Sequence, residues 1–502
     1  MTGKHPVKFD KYFNVVAGEL RDSKTKSHGI DPSTKSELWP VPVATDKDVE
    51  DAVAAANKAF VTWSETPFEE RLKMIKEYQS AYELYLDEFT NVLMKEAGKP
   101  RVTASGESED ALNQFEHNLK LKLPEEVLHE PDRIITTRHV PLGVVAAICP
   151  WNFPIVLSLG KILPAILAGC CIIIKPSPFT PYTALKLAEI AQQIFPPGVV
   201  QALGGDDALG PTLVAHPKIQ KVTFTGSTAT GKRIFAASAP TMKRVVLELG
   251  GNDATIIFPD VNVGEVASQV ALGALFHTGQ VCVAVKRIYV HEDIYDQFLE
   301  AIVQAVAKMS MDVEEVEAPW TLGPIQNRMQ YEKLRELLKE IEAKGLKLAL
   351  GSGTVEESEG YFIKPVVVDN PPEDSRIVTE EQFGPILPIL KWKNVEDVIT
   401  RANNTKMGLA ACVWSADTAA AEKVGRKLQA GSVFINATAL TTPKAMLSGH
   451  KESGLGGEWG STGLLSYCNV QVMHEFKLAL CQNPLSASQQ MVAFSFEAGR
   501  SC

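Results

Sequence analysis

Short, almost wholly apolar runs alternate with amphipathic stretches over most of this chain. From Gly143 the runs are GVVAAIC (143–149), CIIIK (171–175), VVQAL (199–203), KVTFT (221–225), RVVLEL (244–249) and ATIIF (254–258). Runs of this length, rich in β-branched residues, read as buried strands. Between them 155–168, 184–194 and 227–237 suit helices. Strands apolar on both faces, with helices between them, predict a parallel, doubly wound sheet covered on both sides. A second run begins near Ser268. Its strands are expected at 286–290, 362–368, 386–392, 409–414 and 432–436, its helices at about 292–308, 328–344, 395–403 and 418–429. Upstream, Thr45 and Asp48 have the spacing of a capping box, and Val49, Val53, Ala56 and Phe60 share one helical face. More helix is expected from about Phe68 to Lys95. The expected fold is therefore α/β, with two doubly wound domains packed together.

Composition narrows the function. The chain has 502 residues, 45% hydrophobic and 22% charged, as a globular protein with a large core requires. A net charge of −10 offers no basic face for phosphates, so no nucleic-acid partner is expected. The N-terminal residues show no apolar run of signal-peptide length. No stretch reaches the ~18 apolar residues of a membrane span. The eight cysteines (149, 170, 171, 282, 412, 468, 481 and 502) form no Cys-x-x-Cys pair, so no metal site is expected and a reducing, cytoplasmic home is the default. After about Leu480 the chain is polar and aperiodic, and 481–502 reads as a flexible tail.

Several short segments could carry chemistry. FTGSTATGK (224–232) follows a strand and opens a helix, a place where backbone N–H groups and the helix dipole favour a phosphate. Its spacing imitates the phosphate loop of nucleotide hydrolases, but Arg233 stands where that loop needs a magnesium-binding hydroxyl. Cys282, in FHTGQVCVAV, reads by itself as a core cysteine. Glu248 ends a strand ahead of two glycines, where parallel sheets place ligand crevices. Asn152, in CPWNFP, could equally serve a turn.

Taken together and in order, PWNFP, FTGST, LELGG, GQVC and EEQFGP resemble the aldehyde dehydrogenase superfamily. The resemblance runs from about Phe13 to Phe476, and the 34-residue spacing from Glu248 to Cys282 is that of its hydrolytic branch. It implies a Rossmann-like cofactor domain (1–122 and 142–250), a catalytic domain (251–450) and a small β oligomerisation arm (123–141 and 466–480) that builds a homodimer or homotetramer. It also implies that Cys282 attacks an aldehyde, that the Asn152 amide and the Cys282 N–H hold the oxyanion, and that Glu248 activates water to release the acid from a thioester. Glu248 argues against the branch that passes the acyl group to coenzyme A. A non-catalytic relative that kept the fold is the other alternative. For a nicotinamide dinucleotide the resemblance points to Trp151, Lys175, Ser177, Pro178, Gly226, Ser227, Gly231, Leu249, Gly250, Glu381 and Phe383.

Two departures matter. Three residues after Lys175 the family often has a glutamate that accepts from the adenosine ribose; Pro178 can neither accept there nor repel a 2′-phosphate. The expectation leans to NAD and leaves NADP open. Along the substrate tunnel, Phe153, Val156, Leu157 and Gly160 share a helix face, Val281 and Val283 flank the cysteine, and Leu447 stands near a position often held by Phe. An aliphatic tunnel with room at Gly160, accepting a medium or bulky apolar aldehyde, is expected. Lys286 is expected to belong to its strand and not to anchor a charged substrate.

Overall fold

The computed structural model describes residues 6–311 and 321–477. The tail expected at 481–502, with Cys481 and Cys502, lies outside the described residues. The chain divides into two compact units: Met1–Lys122 with Val140–Asn469, and Leu123–His139 with the chain from Val470 on.

The large unit contains both expected sheets. The first has eight strands in the order Gly454–Leu455, Arg244–Glu248, Lys221–Thr225, Val144–Ile148, Cys171–Lys175, Val200–Ala202, Asn14–Val16, Glu19–Arg21. Its five central strands are parallel, and antiparallel strands close both edges. The chain winds one way from Val144–Ile148 through 171–175 and 200–202. It then crosses back to 221–225 on the other side. This makes a topological switch point between Val144–Ile148 and Lys221–Thr225, the place where open parallel sheets bind ligands beyond their strand ends.

The second sheet runs Leu348–Leu350, Val366–Asp369, Ile386–Trp392, Val285–His291, Asp253–Ile257, Ala410–Trp414, Ser432–Ile435. Its side chains alternate between two cores. Ile256, Val366 and Val368 join one with Leu334 and Val398; Ile257, Val367 and Ile288 join the other with Val270 and Phe298. The period of two fits a sheet buried on both faces.

Several elements differ from expectation. The run 254–258 belongs to the second sheet, because the chain crosses over at Gly250–Gly251. The strand expected at 362–368 starts only at Val366, since Pro365 has no N–H for the ladder. The helix expected over 68–95 is two, Phe68–Glu83 and Leu86–Glu96. Thr45 caps Asp46–Trp63 with the full reciprocal box. An unanticipated helix, Arg101–Asn118, buries Thr103, Glu107, Ser108, Gln114 and Asn118, so it shows no apolar stripe.

The small unit holds a three-stranded sheet with Arg133–Pro141 between Glu126–His129 and Cys468–Phe476. Arg138 Nε donates to Gln471 Oε1 at 2.7 Å, and the Arg133 guanidinium lies over the Phe476 ring. Val127, Leu128, Val470, Val472, Met473 and Phe476 are exposed. Among the described residues no helix is long and apolar enough to cross a membrane.

Candidate active site

Many of the singled-out residues lie at or just beyond the C-terminal ends of the first sheet's parallel strands. Val144–Ile148 runs into Trp151, Asn152 and Phe153, and the helix Pro154–Ala168 follows. Beside it, Lys221–Thr225 runs into Gly226 and Ser227. Ser227 caps the helix Thr228–Ser238 by accepting from Thr230 N at 3.3 Å. Gly231 lies in that helix with its Cα against Leu249. One strand along, Lys175 ends Cys171–Lys175 and is buried, with its ammonium donating to Pro176 O at 3.2 Å. Burial pulls that lysine below its ordinary range, opposed by Asp207 and Asp206. Ser177 Oγ accepts from Phe179 N, and the half-buried Pro178 offers no side-chain acceptor.

Glu248 ends the neighbouring strand. It is 4% exposed, and neither carboxylate oxygen has a partner. Burial holds its carboxyl protonated well above the usual range; Glu458 adds to this and Lys161 opposes it. Leu249 N then donates to Ser453 O, and Gly250–Gly251 leads into the second sheet. Two close approaches require those glycines. A Cβ on Gly250 would sit 2.4 Å from Glu381 Oε2, and one on Gly251 2.5 Å from Cys282 O.

Cys282 precedes the strand Val285–His291. Of the six cysteines among the described residues it alone is not buried outright. Its surroundings still push the thiol up to about 12, chiefly through desolvation, with Lys286 pulling the other way. Lys286 does belong to the strand, as expected. Its ammonium donates to Val281 O, Cys282 O and Ala284 O at 2.8, 2.9 and 3.3 Å and pairs with Glu381 Oε1 at 3.7 Å. Asn152 is buried and donates to Gln280 O at 3.0 Å, which ties the PWNFP loop to the cysteine loop. Glu381 Oε1 accepts from Gly251 N, and Phe383, at φ +53, packs edge-on against Trp151.

The cysteine borders an apolar cluster of Leu157, Val283, Leu409, Ala410, Leu447 and Trp459, joined by Phe153, Val156, Val281 and Phe434. Gly160 provides no room. A Cβ there would lie 2.4 Å from Trp459 Nε1, so the indole already fills the gap left by the missing side chain. The cluster is thus partly aromatic and not purely aliphatic: Phe434 enters from the strand Ser432–Ile435, and Trp459 from a glycine-rich stretch with no readable period. A cavity of about 270 Å³ lies alongside, between Phe434, Leu440, Met446, Leu447 and Trp459.

The sequence reading also missed a buried polar pair. Lys161 Nζ donates to Glu458 Oε2 at 2.6 Å and Thr225 Oγ1 at 2.7 Å, and Thr223 donates to the other Glu458 oxygen. A lysine inside the otherwise apolar 154–168 helix was the available signal.

The model of the aldehyde dehydrogenase family matches residues 20–473. A putative aldehyde dehydrogenase, FUS7, of Gibberella fujikuroi is 45% identical over 93% of this chain and 100% of its own length. The betaine aldehyde dehydrogenase of Staphylococcus aureus, solved with NAD+, superposes with a TM-score of 0.89 at 30% identity, covering 92% of this chain and 94% of that one. An NAD+ complex of an aldehyde dehydrogenase from Bacillus cereus gives a TM-score of 0.89 at 33% identity, over 93% and 96%. A family model spanning nearly the whole described chain, together with relatives this similar, leaves one assignment: the chain belongs to the aldehyde dehydrogenase family.

Proposed function

We propose that this protein oxidises an apolar, medium-to-bulky aldehyde to its carboxylic acid through a thioester on Cys282. One observation carries the reading: among the described residues, the sole cysteine not buried outright feels the charge of a buried carboxylate, Glu248, whose oxygens have no hydrogen-bond partner. Cys282 gives up its S–H proton to solvent, and the thiolate makes the carbonyl carbon a hydride donor by adding to it. The C–S bond forms, and the oxyanion takes hydrogen bonds from Asn152 Nδ2 and the Cys282 N–H, donors placed where charge develops. Loss of hydride then leaves the thioester. Water attacks it, Glu248 accepts the water proton, and the tetrahedral intermediate releases the acid as the C–S bond breaks and Cys282 leaves as a thiolate.

The donors around the strand ends fit a nicotinamide dinucleotide. A helix N-terminus at Ser227, a buried ammonium at Lys175 with one backbone acceptor, and a carboxylate at Glu381 offer the charges that a pyrophosphate and two riboses require. Trp151, Ser177, Pro178, Gly226, Gly231, Leu249, Gly250 and Phe383 border the same site in this reading. When bound, the cofactor supplies the hydride acceptor. NAD is favoured, since the two solved relatives above hold it and Asp206 and Asp207 lie near Lys175 where a 2′-phosphate would be repelled.

Phe153, Val156, Leu157, Val281, Val283 and Leu447, with Trp459 and Phe434, would receive the substrate's apolar body. The exposed apolar residues of the small sheet suit a homodimer or homotetramer, and a cytoplasmic home accords with the free thiols. The test is the initial rate with benzaldehyde, octanal and acetaldehyde, with NAD and with NADP, for wild type and Cys282→Ala. Turnover lost in the variant supports the thioester. A kcat/KM highest for acetaldehyde would sink the substrate assignment.

A further inference from the structure

The helix Pro154–Ala168 begins with a problem. Its N-cap residue, Phe153, has no side-chain acceptor, and Pro154 has no N–H, so the N–H groups of Ile155 and Val156 need partners from elsewhere. Glu107, on the distant helix Arg101–Asn118, supplies them. Its Oε1 accepts from Ile155 N at 2.9 Å and Val156 N at 3.2 Å. Its Oε2 pairs with the Lys99 ammonium, and both side chains are fully buried. The same ammonium stands 3.6 Å from the centre of the Phe153 ring, a desolvated cation over an aromatic face. His277 meets that ring edge-on at 5.6 Å, and Phe276 stacks beside it.

This cluster brackets Asn152. On one side, Phe153 follows it directly. On the other, Gln280 O accepts from the Asn152 amide, and Gln280 is itself fixed through its backbone N–H and its side chain to His277 O, and through its side-chain oxygen to Gln326 N. Neither Lys99 nor Glu107 hydrogen-bonds to Cys282 or Glu248. A fully buried ion pair costs desolvation and is poor value as stability alone. Its contacts converge on the residue next to the oxyanion donor and on the first turn of its helix.

We propose that Lys99 and Glu107 are positioning residues that set the direction of the Asn152 amide, by clamping Phe153 and the start of the helix that follows it. This rests on the thioester reading, in which Asn152 holds the oxyanion. Removing the clamp lets the amide drift, and misplacement of about 1 Å can cost up to ~100-fold in rate.

The experiment is a double-mutant cycle read by stopped flow, which measures the first-turnover burst of reduced cofactor with benzaldehyde. Lys99→Met, Glu107→Gln and Asn152→Ala are made singly and as the pairs with Asn152→Ala. Cofactor affinity is measured alongside by fluorescence titration. Lys99→Met is expected to slow the burst about 10-fold or more in the native background. In the Asn152→Ala background the same change should cost less than about twofold, because the group it acts through is gone. Cofactor affinity should hold in both. Glu107→Gln keeps an acceptor for Ile155 and Val156 while breaking the charge pair, so it carries the cycle if Lys99→Met does not fold. Equal slowing in both backgrounds, or a parallel loss of cofactor affinity, would overturn the proposal in favour of a general structural role. A wild-type burst that survives Cys282→Ala would overturn the thioester reading itself, and this inference with it.

Discussion

Replacing Gly160 by alanine tests how the substrate pocket is built. Two effects oppose each other. In the middle of a helix, Gly→Ala gains about 1 kcal/mol from backbone entropy alone. Here the new methyl would meet Trp459 Nε1 at 2.4 Å, Cδ1 at 3.2 Å and Cε2 at 3.4 Å. Ordinary heavy-atom contacts lie at about 3.5–4.0 Å, so the indole must retreat by roughly 1 Å. It has little space to do so, because Trp459 is 92% buried and packs with Leu157, Val283 and Leu447. Overpacking of this kind costs about 1–3 kcal/mol. The net expectation for Gly160→Ala runs from neutral to about 2 kcal/mol destabilising, with a displaced indole narrowing the pocket. With Trp459→Ala in place the clash is gone, and the same change should stabilise by about 1 kcal/mol. Urea unfolding of the four proteins gives the coupling between the two sites, expected at about 1–3 kcal/mol. The ratio of kcat/KM for benzaldehyde to that for acetaldehyde should fall in Gly160→Ala. If Gly160→Ala stabilises equally in both backgrounds and leaves that ratio alone, the packing described here is wrong.

Three further outcomes follow from the same site. Glu248→Gln should retain a first-turnover burst and lose steady turnover by about 10²–10⁴-fold, as removal of a general base does. Because burial keeps Glu248 protonated above its ordinary range, the base form accumulates only as pH rises, so wild-type steady turnover should climb on the alkaline side; a flat profile from pH 6 to 9 refutes this. Alkylation mapped by peptide mass should mark Cys282 first among the described cysteines. Its rate at the free protein should keep rising with pH beyond 9, since the thiol is pushed up to about 12; a plateau below pH 9 counts against it. Pro178→Glu should raise the preference for NAD over NADP by adding a ribose acceptor that also repels a 2′-phosphate, and an unchanged ratio of dissociation constants would remove Pro178 from the cofactor site.

The strands were the most legible part of the fold. Runs such as CIIIK and ILPILKW are buried on both faces, so their apolar content survives any uncertainty of register. The helix Arg101–Asn118 was illegible for the opposite reason. Its inward face carries Glu107, Ser108 and Gln114, and Glu107 and Ser108 meet Ile155 N, Val156 N and Thr90 Oγ1, partners that only the folded chain supplies. Within the site, the motif residues were readable as a set, and their companions were not. Glu458 and Trp459 sit among glycines at 454, 456, 457 and 460 with no period to mark them. The left-handed backbone of His277, Thr278, Phe383 and Trp459 has no sequence signal either, since none is glycine or asparagine. Gly160 shows the same limit. An absent side chain reads as open space until the tertiary fold shows what has filled it.

The edge strand Gly454–Leu455 has a consequence for how the protein is made. It completes a sheet whose other members all lie before residue 249, and the carboxylate that meets Lys161 follows it at Glu458. A ribosome emits those residues about 200 residues after the rest of the sheet. Until then the nascent chain holds a cationic side chain inside an apolar helix with no counter-charge, and an unpaired edge along Arg244–Glu248. Non-local closure of this kind is slow and leaves half-made sheets open to aggregation. Fragments ending before Gly454 should therefore depend on chaperones, and closure of this sheet edge becomes a late event in the protein's synthesis, made only when segments about 200 residues apart in the sequence meet.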